Sequence, residues 1–366
     1  MSAIVTEQLR IKNAKDFLKS TQLNELYVVI GRTKPWDDDS VEQTPGQSAS
    51  ETVYELWDGL YAGKRVKVDD IHHTIPKHLW EADTADFVAY DPSDPYLSQK
   101  KFHTTVVDDY SIRVYKLIVR GAGNSTVKPD FITSAIAGGA DGYRWKYMYS
   151  IPIGLYNSFL NEFYVPVLTA PSNVANNSSN LGIQPAPPTG HGADNISELF
   201  AYSVGIISKF IYNESGRIPA NNQFRTVALL ENPRVFNGVI GSAVDTGQPH
   251  SGVAFAGDVA TLATTINIVA TADKVVPNDE LKTTTGTCVV VGYDAELGTA
   301  YVLPKLGQIA SGQTITSVAT GLAASITGIT GPSASKYSGN TLYTEYRKPV
   351  YRAGNQTEVI SIILEF

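Results

Sequence analysis

The sequence predicts an all-β protein, and three observations carry that prediction. Only 18% of the 366 residues are charged, Gly and Pro together fill 49 positions (30 and 19), and Tyr alone supplies 20. That composition suits strands and turns rich in polar aromatics better than helices. Several segments alternate apolar and polar residues with the period of two expected of a half-buried strand. The last of them runs into the final residue: Ile360, Ile362, Leu364 and Phe366 fall on one side, Val359, Ser361, Ile363 and Glu365 on the other. A chain ending on a core-facing Phe is expected to have that end built into the fold.

Taken in order, residues 6–20 read as the one convincing helix. Thr6 serves as N-cap, Leu9, Phe17 and Leu18 share roughly one face, and Lys19 lies in the last turn. A strand follows at Leu26–Ile30, then the turn Gly31-Arg-Thr-Lys-Pro-Trp36 and the acidic run Asp37-Asp-Asp39. That run lacks the alternating ligands and the glycine of a calcium loop, so a solvated loop is expected. Tyr110–Val119 and Trp145–Ile151 read as central strands, the second with Trp145, Tyr147, Tyr149 and Ile151 on one face. Residues 173–192 form a long Pro- and Gly-rich connection suited to wrapping a partner. Leu199–Tyr212 and Phe224–Leu230 return to strand character, the latter closed by Asn232-Pro233.

Composition changes sharply at residues 239–332. This stretch holds three aromatics, Phe255, Tyr293 and Tyr301, and no Arg, although the chain has 4 Trp, 20 Tyr and 12 Phe. Within it, Asn278–Thr283 followed by Gly286–Gly292 is loosely echoed by Gly312–Ser317 followed by Gly321–Gly328. Two strand-turn-strand units joined through Tyr293–Val302 suggest a small β-barrel or sandwich inserted into a parent body. The expected division is therefore 1–238 plus 333–366 for the body and 239–332 for the Thr/Gly-rich module.

The search for chemistry returns little. A net charge of −7 and a pI near 5.4 argue against a nucleic-acid backbone as partner, which needs a dense basic surface. The single cysteine, Cys288, lies in an apolar run and reads as a buried small hydrophobe. The N-terminal residues lack a basic region followed by an apolar one, and no window approaches a membrane span, so a soluble protein is expected. His72, His73 and His78 have irregular spacing broken by Pro76, which favours a surface or interface segment anchored by Trp80 over a metal site. His191, with Asp194 as orienting carboxylate, has no accompanying nucleophile motif and reads as a turn. Gly121-Ala-Gly123 lacks the third glycine and the following helix of a dinucleotide loop. No catalytic, cofactor-binding or metal-binding residues are expected.

Six segments together resemble a family of structural proteins. They are Ala3–Thr6, Val29-Ile-Gly-Arg-Thr-Lys-Pro-Trp36, Ile75-Pro-Lys-His-Leu-Trp80, Gly139–Pro152 with its Asp-Gly-Tyr-Arg-Trp-Lys-Tyr core, Phe224–Pro233, and Tyr337–Phe366. In this order they resemble the peripheral, dimeric wedge subunit of the baseplate of T-even-type contractile-tailed bacteriophages. The resemblance implies a layered antiparallel β-sandwich with helix-bearing loops, a homodimer, and a structural role linking neighbouring wedge proteins in the virion tail. It carries over no catalytic residues. Region 239–332 departs from it, being longer than the resemblance leads one to expect and similar to Thr/Gly-rich modules that decorate virion proteins. Trp36, Trp80 and Trp145 are candidate interface residues under this reading, each with core packing as the alternative. A glycan-binding or depolymerising tail protein is the competing reading, and an enzyme built on His191 and Asp194 a third.

Overall fold

The structure is a computed structural model describing residues 7–21, 23–45, 49–67, 70–91, 94, 96–133, 135–152, 161–167, 184–185, 203–210, 222–234, 259–353 and 355–366. Helix α1 (Glu7–Ser20) is followed by β1 (Leu26–Gly31), helix α2 (Ala49–Gly59), β2 (Leu60–Val66) and β3 (Ile71–Pro76). After a 3-10 turn at Leu97–Gln99 come β4 (His103–Val107), β5 (Ser111–Val119), β6 (Ala137–Gly138), β7 (Arg144–Pro152), β8 (Tyr164–Pro166) and β9 (Gln184–Pro185). Next are β10 (Ser203–Phe210), β11 (Asn222–Glu231), β12 (Val259–Thr261) and β13 (Thr264–Ile268). Then follow β14 (Glu280–Lys282), β15 (Gly286–Asp294), β16 (Thr299–Gly307), β17 (Thr314–Ser317), β18 (Ala323–Thr330), β19 (Asn340–Arg352) and β20 (Glu358–Glu365). The fold is all-β, built of antiparallel sheets and a closed barrel. Two compact units divide it: Met1–Gln22, Lys67–Ile207 and Ser361–Phe366 form the first, Leu23–Val66 and Ser208–Ile360 the second.

The first unit holds one sheet ordered β4-β5-β7-β6, with β9 also on β7, and one ordered β20-β10-β3-β8. The shared face predicted for Trp145, Tyr147, Tyr149 and Ile151 does not survive. Tyr115 pairs with Tyr147 but Val114 pairs with Tyr149, so Met148 is an extra residue in β7. A bulge of one residue reverses the parity of everything beyond it. Trp145 and Tyr147 accordingly join Tyr115, Leu117 and Phe87 in one cluster, while Tyr149 and Ile151 join Ile112, Val114 and Val165 in another. Both faces of this sheet are therefore buried.

The final strand follows its predicted alternation as far as Ile362, with Ile360 and Ile362 buried and Val359 and Ser361 exposed, after which Ile363 and Leu364 are both half-buried. Phe366 is half-buried, its ring 5.4 Å from Phe17 of α1, and Arg10 Nη1 donates to the Phe366 carbonyl at 3.0 Å. Helix α1 turns Ala14 inward with Ile11, Phe17 and Leu18 half-buried. Leu9, expected on that face, is 46% exposed. The predicted cap Thr6 lies outside the described residues.

In the second unit, a five-stranded sheet runs β12-β2-β1-β11-β19. β1 sits at its centre and is buried throughout, which is why its sequence is continuously apolar rather than alternating. Helix α2, absent from the sequence reading, presses Val53, Leu56 and Trp57 onto Tyr27, Val29, Ala228 and Leu230. The barrel closes in the order β13-β16-β15-β14-β17-β18 because β13 pairs with both β16 and β18. The two predicted strand-turn-strand units are hairpins β14–β15 and β17–β18, and their short first strands pair through Leu281–Ser317. Ile266, Leu281, Cys288, Val290, Val302, Ile315 and Ile326 fill the interior. Gly307, at φ +65°, ends β16 where a Cβ would stand 1.9 Å from the Thr285 carbonyl oxygen. The predicted module 239–332 holds β12 to β18 among its described residues, all within the second unit.

Candidate interaction surface

The turn after β1 is held by contacts that its local sequence does not reveal. At Gly31 an added Cβ would meet the Gly59 carbonyl oxygen at 2.5 Å, so the end of β1 and the end of α2 approach backbone to backbone. Arg32 takes φ +57°, and its amide donates to that same carbonyl at 2.8 Å. Its guanidinium lies 3.4 Å from the centroid of Trp36, a cation-π stack. Trp36 in turn sits 4.8 Å from the Tyr346 ring, and its Nε1 donates to the Arg347 carbonyl at 3.2 Å.

The acidic run beside this turn is not simply solvated, as the sequence suggested. Asp39 accepts from Arg225 Nε at 2.8 Å and Nη2 at 2.6 Å, a bidentate pair, while Arg225 Nη1 reaches the Thr33 carbonyl at 2.6 Å. Arg225 is 1% exposed. Hydrogen bonding from Arg225 lowers the Asp39 carboxyl to about 2. Asp38 closes the turn by accepting from the Ser40 amide at 2.9 Å and its hydroxyl at 2.6 Å.

Helix α2 presents its outer face next to this lock. Glu51, Tyr54, Glu55 and Asp58 are all exposed and recur at the three- and four-residue spacing that puts them on one side. Tyr54 is 56% exposed and Tyr337 46%, with ring centroids 4.9 Å apart in an edge-on arrangement. The Tyr337 hydroxyl donates to Asp58 Oδ1 at 2.6 Å, and Lys336 Nζ reaches the same oxygen at 3.0 Å. Tyr337 holds φ +60°, a strained position for an aromatic residue. One turn back along α2, the Tyr346 hydroxyl donates to Glu55 at 3.4 Å. A helical signal was available in Val53, Leu56 and Trp57, three and four residues apart and followed by Gly59. It was masked by its place in a polar stretch, with Val, Thr and aromatic residues that form helices weakly.

The histidines lie elsewhere than predicted. His72 and His73 are in β3 and buried, and His78 is half-buried, so the segment is interior rather than surface. His103 of β4, which the sequence reading passed over, is buried with its ring 4.8 Å from His78 and its Nε2 2.8 Å from the Pro76 carbonyl oxygen. Burial pushes His72 and His73 down to about 4 and His103 to about 3, and it lowers His78 as well. Buried Nδ1 of His73 and of His103 has no hydrogen-bond partner among the described residues. Directly across the strands, His103 pairs with Lys116 and Lys116 with Lys146, both lysines buried, and Lys116 Nζ lies 4.2 Å from the Tyr90 ring centroid. Among the described residues no group of three His, Cys, Asp or Glu side chains is placed to hold a metal ion. His191 and Asp194 lie outside the described residues.

The remaining motifs resolve into joints. Trp145 is 1% exposed within the core, which removes it from any surface, and half-buried Trp80 donates Nε1 to Ser125 Oγ at 3.1 Å. In the Asp-Gly-Tyr element, Asp141 accepts from the amides of Thr126 and Val127, both at 2.9 Å, and Gly142 turns at φ +80°. Tyr143 then donates to the Gly123 carbonyl at 2.8 Å, while an added Cβ at Gly121 would meet the Asp141 carbonyl oxygen at 2.2 Å. The Gly-Ala-Gly run is a close-approach turn. Cys288 is fully buried in the barrel, where burial raises its thiol to about 12. No protein-family description matches this sequence, and no curated protein matches it as a relative.

Proposed function

We propose that the chain is a structural subunit of the tail baseplate wedge of a contractile bacteriophage, a homodimer that links neighbouring wedge proteins as the baseplate assembles and the tail contracts. The observation that carries this reading is where the residues of the resemblance are spent. In the second unit, Arg32 and Trp36, Arg225 of the Phe224–Pro233 segment, and Tyr346 and Arg347 of the C-terminal segment meet in one lock. In the first unit, Asp141, Gly142 and Tyr143 tie down the turn at 121–127. These distinctive residues make joints between distant parts of the chain, as a protein that carries load between partners requires.

An antibody raised against the chain is expected to decorate the distal end of contractile tails in electron micrographs of the virus that encodes it. Labelling absent from the tail would overturn the reading. Light scattering across a range of concentrations is expected to give about twice the 39.6 kDa of one chain. A monomer at every concentration would overturn the homodimer. Turnover of an oligosaccharide by the purified chain would favour the depolymerising alternative instead.

A further inference from the structure

We propose that the outer face of α2, together with Tyr337, is a docking site for a basic segment of a neighbouring protein, with an Arg or Lys side chain seated against Tyr54 and Tyr337. This inference rests on the structural reading above and names the chemistry of one of its contacts. The face presents two large aromatic side chains, Tyr54 and Tyr337, about half exposed and in mutual contact at 4.9 Å. Tyrosine supplies broad contact area at a small cost in rotamer freedom, which is why it concentrates in the energetic centres of interfaces. The pair is also held in place before any partner arrives, since Asp58 fixes the Tyr337 hydroxyl at 2.6 Å. Pre-ordering of this kind lowers the cost of association.

Charge selects the occupant. Along this helix face stand the exposed carboxylates of Glu51, Glu55 and Asp58. Among the described residues Lys336 pairs with Asp58 and Arg32 lies within electrostatic reach of Glu55, which leaves the face with an excess of negative charge. A cation is attracted both to the face of an aromatic ring and to a carboxylate at its rim, and desolvating the pair strengthens both attractions. The chain supplies its own example of each. Arg32 stacks on Trp36, and Lys336 sits at the Asp58 carboxylate. An acidic or phosphate-bearing partner would be repelled by the same face.

The test uses the intact chain and a fluorescently labelled peptide of alternating Arg and Leu, titrated by anisotropy at physiological ionic strength, beside the same peptide with Glu replacing Arg. The Arg peptide is expected to bind and the Glu peptide not to. Tyr54→Ser leaves the charge unchanged and is expected to weaken binding about tenfold, the size of a modest hot spot. Asp58→Asn is expected to weaken it similarly, and Glu280→Gln, which removes the same charge from the barrel, to leave it unchanged. Absence of binding by the parent chain, equal binding by Tyr54→Ser, or equal loss in Glu280→Gln would overturn the proposal. So would competition by maltohexaose that disappears in Tyr54→Ser, which would assign the face to a glycan. Light scattering on the same samples separates the two readings: an intact dimer that ignores the peptide sinks only the docking site.

Discussion

The first unit's β4-β5-β7-β6 sheet and the barrel of the second unit are both antiparallel, yet their interiors are filled in very different proportions of aromatic and small branched side chains. The sheet buries Trp145, Tyr115, Tyr143, Tyr147 and Tyr149, with His103, Lys116 and Lys146. The barrel core is mostly Val, Ile, Leu, Ala and Cys288, with Tyr293 the one aromatic in that cluster among the described residues, and residues 264–330 contain no histidine and no arginine. A closed six-stranded barrel has no open edges and a narrow interior, so small branched side chains fill most of it. An open sheet covered on both sides must fill a wider space and pin the loops that cover it. Its tyrosines do both, because each ring fills volume while its hydroxyl reaches a loop carbonyl: Tyr115 to Phe131, Tyr143 to Gly123 and Tyr149 to Pro166, at 2.8, 2.8 and 2.9 Å. The five-stranded sheet needs a further device, since β19 lies at its edge. Pro349, exposed Arg347 and Lys348, and Trp36 on the Arg347 carbonyl blunt that edge against unwanted pairing.

Acid should separate the two regions most strongly. Folded His72 and His73 take up protons only near pH 4 and His103 near 3, whereas unfolded histidine does so near 6.5. Between those values the unfolded chain binds more protons, so stability rises with pH. It is complete above about pH 6.5 and is lost as pH falls toward 4. For one such histidine the loss at pH 5 is about 2 kcal/mol, and Lys15 near His73 and Lys116 opposite His103 offer no relief. Hydrogen exchange at pH 7.5 and 5 is expected to show β3 and β4 losing protection while β13–β18 change far less. Equal loss in both regions would break the contrast.

The cores should differ next. Trp145→Ala removes the largest fully buried side chain and is expected to cost about 3–5 kcal/mol in chemical denaturation. Ile266→Val, the smallest cut in the barrel, is expected to cost about 1 kcal/mol. A tolerant Trp145 site would show that its cluster can collapse around the loss.

Asp39→Ala tests a directional lock rather than a packed volume. It strands the buried Arg225 guanidinium and is expected to destabilise the second unit by about 3 kcal/mol, with tryptophan fluorescence reporting release of Trp36. A change below about 0.5 kcal/mol would mean the pair behaves as an ordinary surface ion pair. An effect as small as that of Ile266→Val is expected from Tyr115→Phe. It keeps the ring but frees the Phe131 carbonyl, for a loss of about 1 kcal/mol and faster amide exchange around residue 131.

Much of this architecture was legible beforehand. The β class, the cores of β1, β5, β7, β11 and β20, the alternation of β20 and the two hairpins of the Thr/Gly-rich region follow from patterns a few residues long. Period-two alternation, turn glycines and composition act through neighbours along the chain, so they can be read along it. The bulge at Met148, the burial of His72 and His73, the pairing of Asp39 with Arg225 across 186 positions, and the meeting of α2 with Tyr337 could not be. Each depends on which strands lie side by side and in what register. One added residue reverses a face, and a charged side chain finds its partner only after the sheet has brought distant segments together.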